Sequence, residues 1–333
     1  MKTNLISTHH DAGVIAEIQA GTYVGFAKLS DTEYFSADKY ASNTFLNIME
    51  DKTPAHARCA QINGTKTTPA MAFGSAFHAA LLEPHAFQHE YAVKPRSEDY
   101  PHTIDTVDQI KERLKVLDQP VGGTRAVLMA RLKISDPETV FWDDLYDSIV
   151  RNKTVLSYDD NAALSLMRQS VLEHQGASAL FKLGAPEIAM FWQDQDTGVM
   201  CKGKVDWLCL DLGYIADVKT TICASEYEFA KTAANLKYHR QAAFYLDGFN
   251  AIADAGATEF VNIVVEKTPD IVNAAGDLRH AVAIRMLDDA SVEVGRVEYK
   301  RNLAVYAECV RTGIWPGYGS GITASALPHW AFK

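Results

Sequence analysis

Two apolar, alternating segments joined by a short acidic turn constrain the fold of this chain more than any other feature. They cover residues 202–208 and 214–219, with Leu-Asp-Leu-Gly at 210–213 between them. Alternation of this kind predicts two strands, and the short connection predicts a β-hairpin. Side chains two positions apart on a strand share a face, so we expect Asp217 and Lys219 to point into the same space.

The predicted hairpin carries charged residues in an apolar setting. Asp206 is flanked by apolar residues in the first strand, where a carboxylate is costly unless it is paired or metal-bound. Aspartates from both strands could hold Mg²⁺ while the ammonium of Lys219 faces a phosphate or an attacking water, as a divalent-metal phosphodiesterase requires. The ordinary alternative is a solvated strand edge with an Asp217–Lys219 ion pair, and Asp206 could instead pair with Lys204 or Lys219.

Composition excludes several classes of protein. The 333 residues are 47% hydrophobic, which is enough for a globular core, and no apolar run reaches the roughly 20 residues of a membrane span. We therefore expect no membrane partner. The N-terminal residues lack the apolar segment of a signal peptide, and the five cysteines are scattered without a CxxC pair. These features predict a cytoplasmic protein with reduced thiols and without a zinc or iron–sulfur site.

The charge of the chain is unevenly distributed. A net charge of −10 counts against a protein that binds nucleic acid over its whole surface. Residues 111–133, however, contain six basic residues against two acidic ones. The basic residues are Lys111, Arg113, Lys115, Arg125, Arg131 and Lys133. This distribution fits an enzyme that binds a polyanion at one place.

The same region predicts a separate helical unit at residues 103–135. Two amphipathic helices flank an extended loop that ends in Gly-Gly-Thr at 122–124. The segment resembles the SAP DNA-binding motif over about thirty residues, which implies that the six basic residues contact the backbone of duplex DNA. A packing or oligomerisation module is the alternative.

The rest of the chain predicts alternating helices and strands. Residues 1–65 are expected to be helical and irregular, with helix starts at Ser30 and Ser42. The patterns further predict helices at 70–82, 227–253 and 291–312, a helical linker at about 137–182, and strands at 187–193, 260–266 and 281–286. This order favours an α/β sheet flanked by helices.

Further positions in three parts of the chain are candidate site residues with ordinary alternatives. Gln241 and Tyr245 lie four apart on a predicted helix, with Lys237 one turn earlier, and could contact a DNA backbone; a surface face is the alternative. His78, within a helix, could offer a neutral imidazole nitrogen to a metal or could be an ordinary core histidine. Glu187 begins a predicted strand, where acidic residues are common.

Taken in this order, the residues resemble the PD-(D/E)XK nuclease superfamily, and most closely its exodeoxyribonuclease VIII branch. The resemblance rests on the Gly74-to-His78 helix, Glu187, Asp206, the Asp217-Val218-Lys219 triplet and the Gln241-to-Tyr245 motif. It implies a restriction-endonuclease-like core, with a mixed central sheet flanked by helices and a small helical SAP-like insertion. The implied parts are an N-terminal helical part at 1–102, the insertion at 103–135 and the nuclease core at 136–333.

The resemblance also assigns roles. The groups that would bind the metal are the side chains of His78, Asp206 and Asp217 and the carbonyl of Val218. Lys219 would orient or activate the attacking water and offset charge on the transition state. Gln241 and Tyr245 would position the DNA strand, and Glu187 would assist a second metal or the water. The expected cofactor is Mg²⁺, with Mn²⁺ able to substitute.

The implied activity is digestion of linear double-stranded DNA from its ends, 5′ to 3′, leaving 3′ overhangs in phage-type recombination. A ring-shaped homo-oligomer, a single-strand annealing protein as partner and the cytoplasm of a bacterial host cell are implied with it. Two alternatives stay open: a structure-specific or repair endonuclease on the same fold, and a non-catalytic DNA-binding recombination factor. The intact Asp206, Asp217 and Lys219 argue against the second of these.

Overall fold

The computed structural model describes residues 6–8, 11–253, 256, 259–327 and 329–332. They belong to two compact units, one formed by residues 1–71 and 170–333 and the other by residues 72–169. The helical insertion predicted at 103–135 lies within the second unit, which is wider than that prediction. Among the described residues, no helix is long and apolar enough to cross a bilayer.

The first unit is built on a mixed sheet. Its strands are β1 (Ile6–Thr8), β2 (Gly25–Lys28), β3 (Ala41–Ser42), β6 (Ala185–Gln193), β7 (Met200–Cys209), β8 (Tyr214–Thr221), β9 (Glu259–Val272) and β10 (Leu278–Met286). They are ordered β1-β2-β6-β7-β8-β9-β10, with β3 paired to β7. The β1/β2, β3/β7 and β8/β9 pairs are parallel and the others antiparallel. The predicted mixed sheet is therefore confirmed.

Helices cover both faces of this sheet. They are α1 (Ala12–Ala20), α2 (Asp31–Ser36), α3 (Asn43–Asp51), α4 (Pro54–Asn63), α11 (Gln175–Leu180), α12 (Glu226–Leu236), α13 (Tyr238–Ile252) and α14 (Asp289–Thr312), with a 3₁₀ turn at His329–Phe332. On one face Ile188, Ile215 and Phe260 pack with Phe244 of α13 and Leu303 of α14. The other face has a smaller core shared with α1 and α2. Apolar burial on both faces holds the central strands in place.

The hairpin prediction is confirmed. Strands β7 and β8 pair in antiparallel register and are joined through residues 210–213, where Gly213 adopts a left-handed φ of 68°. The predicted helix starts are also confirmed, since Ser30 and Ser42 accept backbone hydrogen bonds at the first turns of α2 and α3. The N-terminal segment differs from its prediction, because β1, β2 and β3 are too short to show alternation.

The predicted single helix at 227–253 is wrong. The structure has two helices, α12 and α13, separated at Lys237, whose φ of 63° is left-handed. The backbone N–H of Lys237 closes the end of α12 on the carbonyl of Ala233. A lysine makes this break without a glycine or proline, so no local sequence signal marked it.

The second unit is mainly helical. Its elements are α5 (Pro69–Leu82), α6 (Pro84–Glu90), β4 (Tyr91–Val93), a 3₁₀ turn (Ser97–Asp99), α7 (Val107–Val116), α8 (Arg125–Ser135), α9 (Trp142–Val150), β5 (Thr154–Leu156) and α10 (Tyr158–Glu173). Strands β4 and β5 form a small parallel pair, and β5 interrupts the predicted helical linker. The predicted helix–loop–helix corresponds to α7 and α8, which share a small core of Ile110, Leu114, Leu128, Leu132 and Phe141.

Candidate active site

Polar residues occupy neighbouring register positions across five strands of the sheet. Glu187 on β6 lies opposite Asp206 on β7, between two register pairs. Asp206 and Asp217 are the next positions beyond the last pair between β7 and β8. Asp217 pairs with Asn262 on β9, and Asn262 pairs with Arg285 on β10. A row of polar side chains therefore crosses the middle of the apolar sheet.

Asp217, Lys219 and Gln241 form a closed network on the α13 side of this row. The ammonium of Lys219 lies 2.6 Å from Oδ2 of Asp217 and donates to Oε1 of Gln241 at 2.9 Å. The amide of Gln241 donates in turn to Oδ1 of Asp217 at 2.9 Å. Asp217 is 3% exposed on a strand that lies between two others, so the alternative of a solvated strand edge is wrong, although the ion pair exists.

The environment keeps Lys219 protonated. Burial alone would lower the pKa of its ammonium, but electrostatic interactions with Asp217, Tyr238 and Asp206 outweigh burial and raise that pKa above its usual value. The ammonium also lies 4.4 Å from the centroid of the Tyr238 ring, a cation–π contact. A protonated Lys219 is suited to stabilise negative charge.

Tyr245 packs against the network and holds Gln241 by a hydrogen bond. It is buried, and its hydroxyl bonds to Gln241 and to the backbone of Lys204; burial raises the pKa of that hydroxyl, which therefore stays protonated. The ring packs directly on the backbone of Gly203, where an added Cβ would lie 2.6 Å from Cε1 of Tyr245. The structure thus places Tyr245 beneath the site, where it holds Gln241, and not on a surface that could stack against DNA.

Glu187 and Asp206 contribute two more carboxylates to the row, beside that of Asp217. One oxygen of each lies within 4.8 Å of the other. Oδ2 of Asp206 accepts a hydrogen bond from the backbone N–H of Val218 at 2.7 Å, which ties the two strands of the hairpin together. Glu187 has a left-handed φ of 53°, which is rare for a residue other than glycine and is typical of strain held at a functional site.

Lys204 balances part of this negative charge. Its ammonium lies 2.7 Å from Oε2 of Glu187 and 2.6 Å from Oδ1 of Asp31, a residue in the first turn of α2. Burial alone would lower the pKa of Lys204, but Glu187 and Asp31 raise it overall. The carboxylates of the site are therefore accompanied by two lysines, Lys204 and Lys219.

The donor set fits a hard divalent cation. Carboxylate oxygens are the preferred ligands of Mg²⁺ and Mn²⁺, and Glu187, Asp206 and Asp217 supply them from adjacent strands. His78 lies half-buried on α5 of the second unit, and its assignment as a ligand stays a prediction. The same holds for the carbonyl of Val218.

The basic residues of the helical pair α7–α8 have partners that the sequence window did not include. Arg113 pairs with Asp136 at 2.6 Å and Lys133 with Asp144 at 2.5 Å. Arg125 pairs with Asp143, and Arg131 donates to the carbonyls of Pro120 and Gly122. These acids lie just beyond residue 133 and offset the local positive charge. Lys115 is exposed, and Lys111 and Lys237 are half-exposed.

Sequence reasoning missed three residues of the site. Lys204 appeared only as an alternative partner of Asp206, whereas it pairs with Glu187. Tyr238 carried no signal, because its contact with Lys219 depends on the break at Lys237. Asn262 stood out only as a polar residue within an apolar run at 260–265. That interruption is the one signal that would have found it.

Comparisons with known proteins agree with this fold. The family model described as a PDDEXK-like domain of unknown function (DUF3799) matches residues 42–326. Comparison with curated proteins gives no significant match. The chain is similar to the crystal structure of a "putative exonuclease" from Eubacterium rectale, with a TM-score of 0.52 and 10% identity over 92% of this chain and 98% of that one. It also matches a phage related exonuclease from Haemophilus somnus 129PT, with a TM-score of 0.29 and 11% identity over 62% of this chain and 95% of that one.

Proposed function

Because the chain belongs to the family of PDDEXK-like domains, we propose that it is a Mg²⁺-dependent nuclease that degrades linear double-stranded DNA from its ends. The observation that carries this proposal is the buried Asp217–Lys219–Gln241 network next to the carboxylates of Glu187 and Asp206. Acids and a protonated lysine on adjacent strands are the groups that phosphodiester hydrolysis requires.

The residues divide the chemistry between them. Asp206 and Asp217 would hold the cation, with His78 and the Val218 carbonyl as further ligands by resemblance to the superfamily. The bound metal would activate a water and polarise the phosphate. Lys219 offsets the charge that develops on the phosphate oxygens. Gln241 fixes the positions of Lys219 and Asp217 relative to each other.

Glu187 and Lys204 form the second part of the proposed site. Glu187 is close enough to Asp206 to share a cation or to orient a water. Lys204 pairs with Glu187 and would contact a phosphate of the substrate. Tyr245 acts through Gln241, because its buried hydroxyl bonds to that side chain.

The finer assignment is to the exodeoxyribonuclease VIII branch of the superfamily. It comprises 5′-to-3′ digestion that leaves 3′ overhangs, a ring-shaped homo-oligomer, a single-strand annealing protein as partner and a role in phage-type recombination in the bacterial cytoplasm. The resemblance in residue order supports it. The helical pair α7–α8 would hold duplex DNA by exchanging its exposed ion pairs for phosphate contacts, as the SAP-like pattern suggests.

One assay tests the proposal. Purified protein with Mg²⁺ is expected to degrade linear duplex DNA, to spare a covalently closed circle and to stop when EDTA is added. Asp217→Asn should abolish cleavage without loss of DNA binding. Asp211→Asn, in the exposed turn of the same hairpin, is the matched control and should keep full activity. Cleavage of the closed circle would favour an endonuclease, and no cleavage of any DNA would favour a binding factor.

A further inference from the structure

Asn262 is a buried amide in the strand next to Asp217. It is 0% exposed, and neither its Oδ1 nor its Nδ2 has a hydrogen-bond partner among the described residues. Its neighbours at 260–265 of β9 are apolar and buried. A buried amide without partners costs folding free energy, and native proteins rarely keep one without a reason.

The register indicates what Asn262 is for. Asp217 is its partner on β8, and paired residues of parallel strands project to the same face of the sheet. Its partner on the other side is Arg285, whose Nε is also buried without a hydrogen-bond partner among the described residues. The amide therefore lies in register between a carboxylate that only accepts and a guanidinium that only donates. Hydrogen bonds to both neighbours would need Nδ2 towards Asp217 and Oδ1 towards Arg285.

The carboxylate of Asp217 already has two side-chain partners in the structure. Lys219 occupies one carboxylate oxygen, and Gln241 donates to the other. A carboxylate that ligates a divalent cation has to turn and release part of these contacts, and ligating carboxylates are normally hydrogen-bonded by a neighbouring group. Of the residues in register with Asp217, Asn262 has a side-chain donor still unused.

We propose that Asn262 is a positioning residue that bonds to Asp217 only when the carboxylate is turned towards the cation. The inference rests on the proposed metal-dependent function. While Asp217 keeps its contacts with Lys219 and Gln241, the amide has no partner among the described residues, which disfavours that arrangement. In the ligating state the amide bridges Asp217 and Arg285. Asn262 thus makes the site bind its cation more tightly without touching the cation or the DNA.

Substitution of the amide by an apolar side chain of similar size tests this role. Asn262→Leu is compared with Val264→Leu, which changes packing two residues further along the same face of β9. Isothermal titration with Mn²⁺ and with Mg²⁺ gives the affinities, and thermal unfolding in EDTA gives the stability of the metal-free proteins. Asn262→Val serves as a second variant should the leucine prevent folding.

The two substitutions are expected to affect different properties, one the cation affinity and the other the melting temperature. Asn262→Leu should weaken cation binding by about 10-fold or more, while its melting temperature in EDTA equals or exceeds that of the natural protein. Val264→Leu should lower the melting temperature and leave the affinity unchanged. Cation affinity within twofold of the natural protein in both Asn262 variants would overturn the inference. If the natural protein itself neither binds the cations nor cleaves DNA, the proposed function fails as well, so the two failures are distinguishable.

Discussion

Basic residues are paired with acids both in the hairpin β7–β8 and in the helical pair α7–α8, but the two sets of pairs differ in burial. The Lys219–Asp217 pair has side chains that are 17% and 4% exposed, and Gln241 and the Tyr238 ring enclose it. The Lys133–Asp144 pair has side chains that are 50% and 55% exposed. A buried pair resists exchange because either ion alone would be uncompensated, whereas an exposed pair exchanges easily with water, salt or phosphate.

This difference in burial suits the basic side chains to two different roles. An ammonium held in one geometry can stabilise the negative charge that develops at one reacting phosphate. Exposed guanidinium and ammonium groups with weak partners can instead release those partners to any phosphate along a backbone. We therefore expect substitutions in the hairpin to change turnover and folding together, and substitutions in the helical pair to change mainly the salt dependence of binding.

The largest effect is expected from Lys219→Met. It removes the cation from a buried carboxylate, which should destabilise the fold by about 3–5 kcal/mol and lower turnover by about 10²–10³-fold. Denaturant unfolding and single-turnover cleavage measure the two effects. The double variant Asp217→Asn with Lys219→Met is the control, because it removes both charges and should regain most of the stability but none of the activity. Equal losses of stability in the single and double variants would contradict the buried-pair interpretation.

Lys202, on the same hairpin, should show the cost of a buried ammonium directly. It is 6% exposed and donates to the carbonyl of Tyr34 at 2.7 Å. Burial lowers its pKa from 10.5 to about 8, and the charge of Asp38 only partly opposes this shift. Such a shift corresponds to a destabilisation of the folded protein by roughly 3 kcal/mol below pH 8. This destabilisation disappears as the pH rises from 8 towards 10.5, because in that range the unfolded chain holds more protons than the folded one.

Lys202→Met should therefore be more stable than the natural protein at pH 7, with an advantage that shrinks between pH 8 and 10.5. Urea unfolding at several pH values measures the difference. Lys133→Met is the matched control in the helical pair, where loss of the half-exposed ammonium should change the free energy of unfolding by less than about 1 kcal/mol. A constant difference between Lys202→Met and the natural protein over this pH range would show that the ammonium is solvated.

Adding one methyl group at a glycine in each region compares how tightly the two regions are packed. Gly203→Ala forces the ring of Tyr245 away from β7 and should cost about 1–3 kcal/mol. Because Tyr245 holds Gln241, cleavage should fall with it. Gly122→Ala, in the loop between α7 and α8, has no described atom within 4 Å of the new Cβ and should change neither property. Full activity in Gly203→Ala would mean that Gln241 needs no support from Tyr245.

The smallest change in stability is expected from Arg113→Gln together with Lys133→Gln. Both pairs are exposed, so the free energy of unfolding should change by less than about 1 kcal/mol. If the helical pair binds duplex DNA, the slope of log affinity against log salt should fall by about one for each lost phosphate contact. An unchanged slope in filter-binding or anisotropy titrations would show that Arg113 and Lys133 of the helical pair make no phosphate contacts.

Local spacing was enough to predict the hairpin and the shared face of Asp217 and Lys219. These two residues lie two apart on one strand, and the turn that returns the chain is only a few residues long. The helix pair α7–α8 was equally predictable, since its core residues follow helical spacing. Strands β1 and β2 were not, because three- and four-residue strands show no period. Strand β2 is held by pairing with distant β6, and β1 is held by pairing with β2.

The contacts that complete the site join residues far apart in the sequence, and this separation made them hard to predict. Gln241 reaches Lys219 across 22 residues, and only the resemblance to the superfamily connected them. Lys204 bonds to Asp31 across 173 residues, for which no spacing rule exists. In the helical pair, the sequence window ended at residue 133, before the acids that neutralise Arg113, Arg125 and Lys133. Charge counted along a window is therefore a poor measure of charge presented in space.

The left-handed backbone at Glu187 has a consequence for how this position can change. A glycine would adopt the same φ without strain, whereas the glutamate is held there at a cost of about 1–3 kcal/mol. A glycine at this position would relieve the strain, but it would also remove the carboxylate beside Asp206 and one of the two acidic partners of the buried Lys204 ammonium. A change at position 187 therefore relaxes the backbone only by altering the charges around Lys204 and the candidate site.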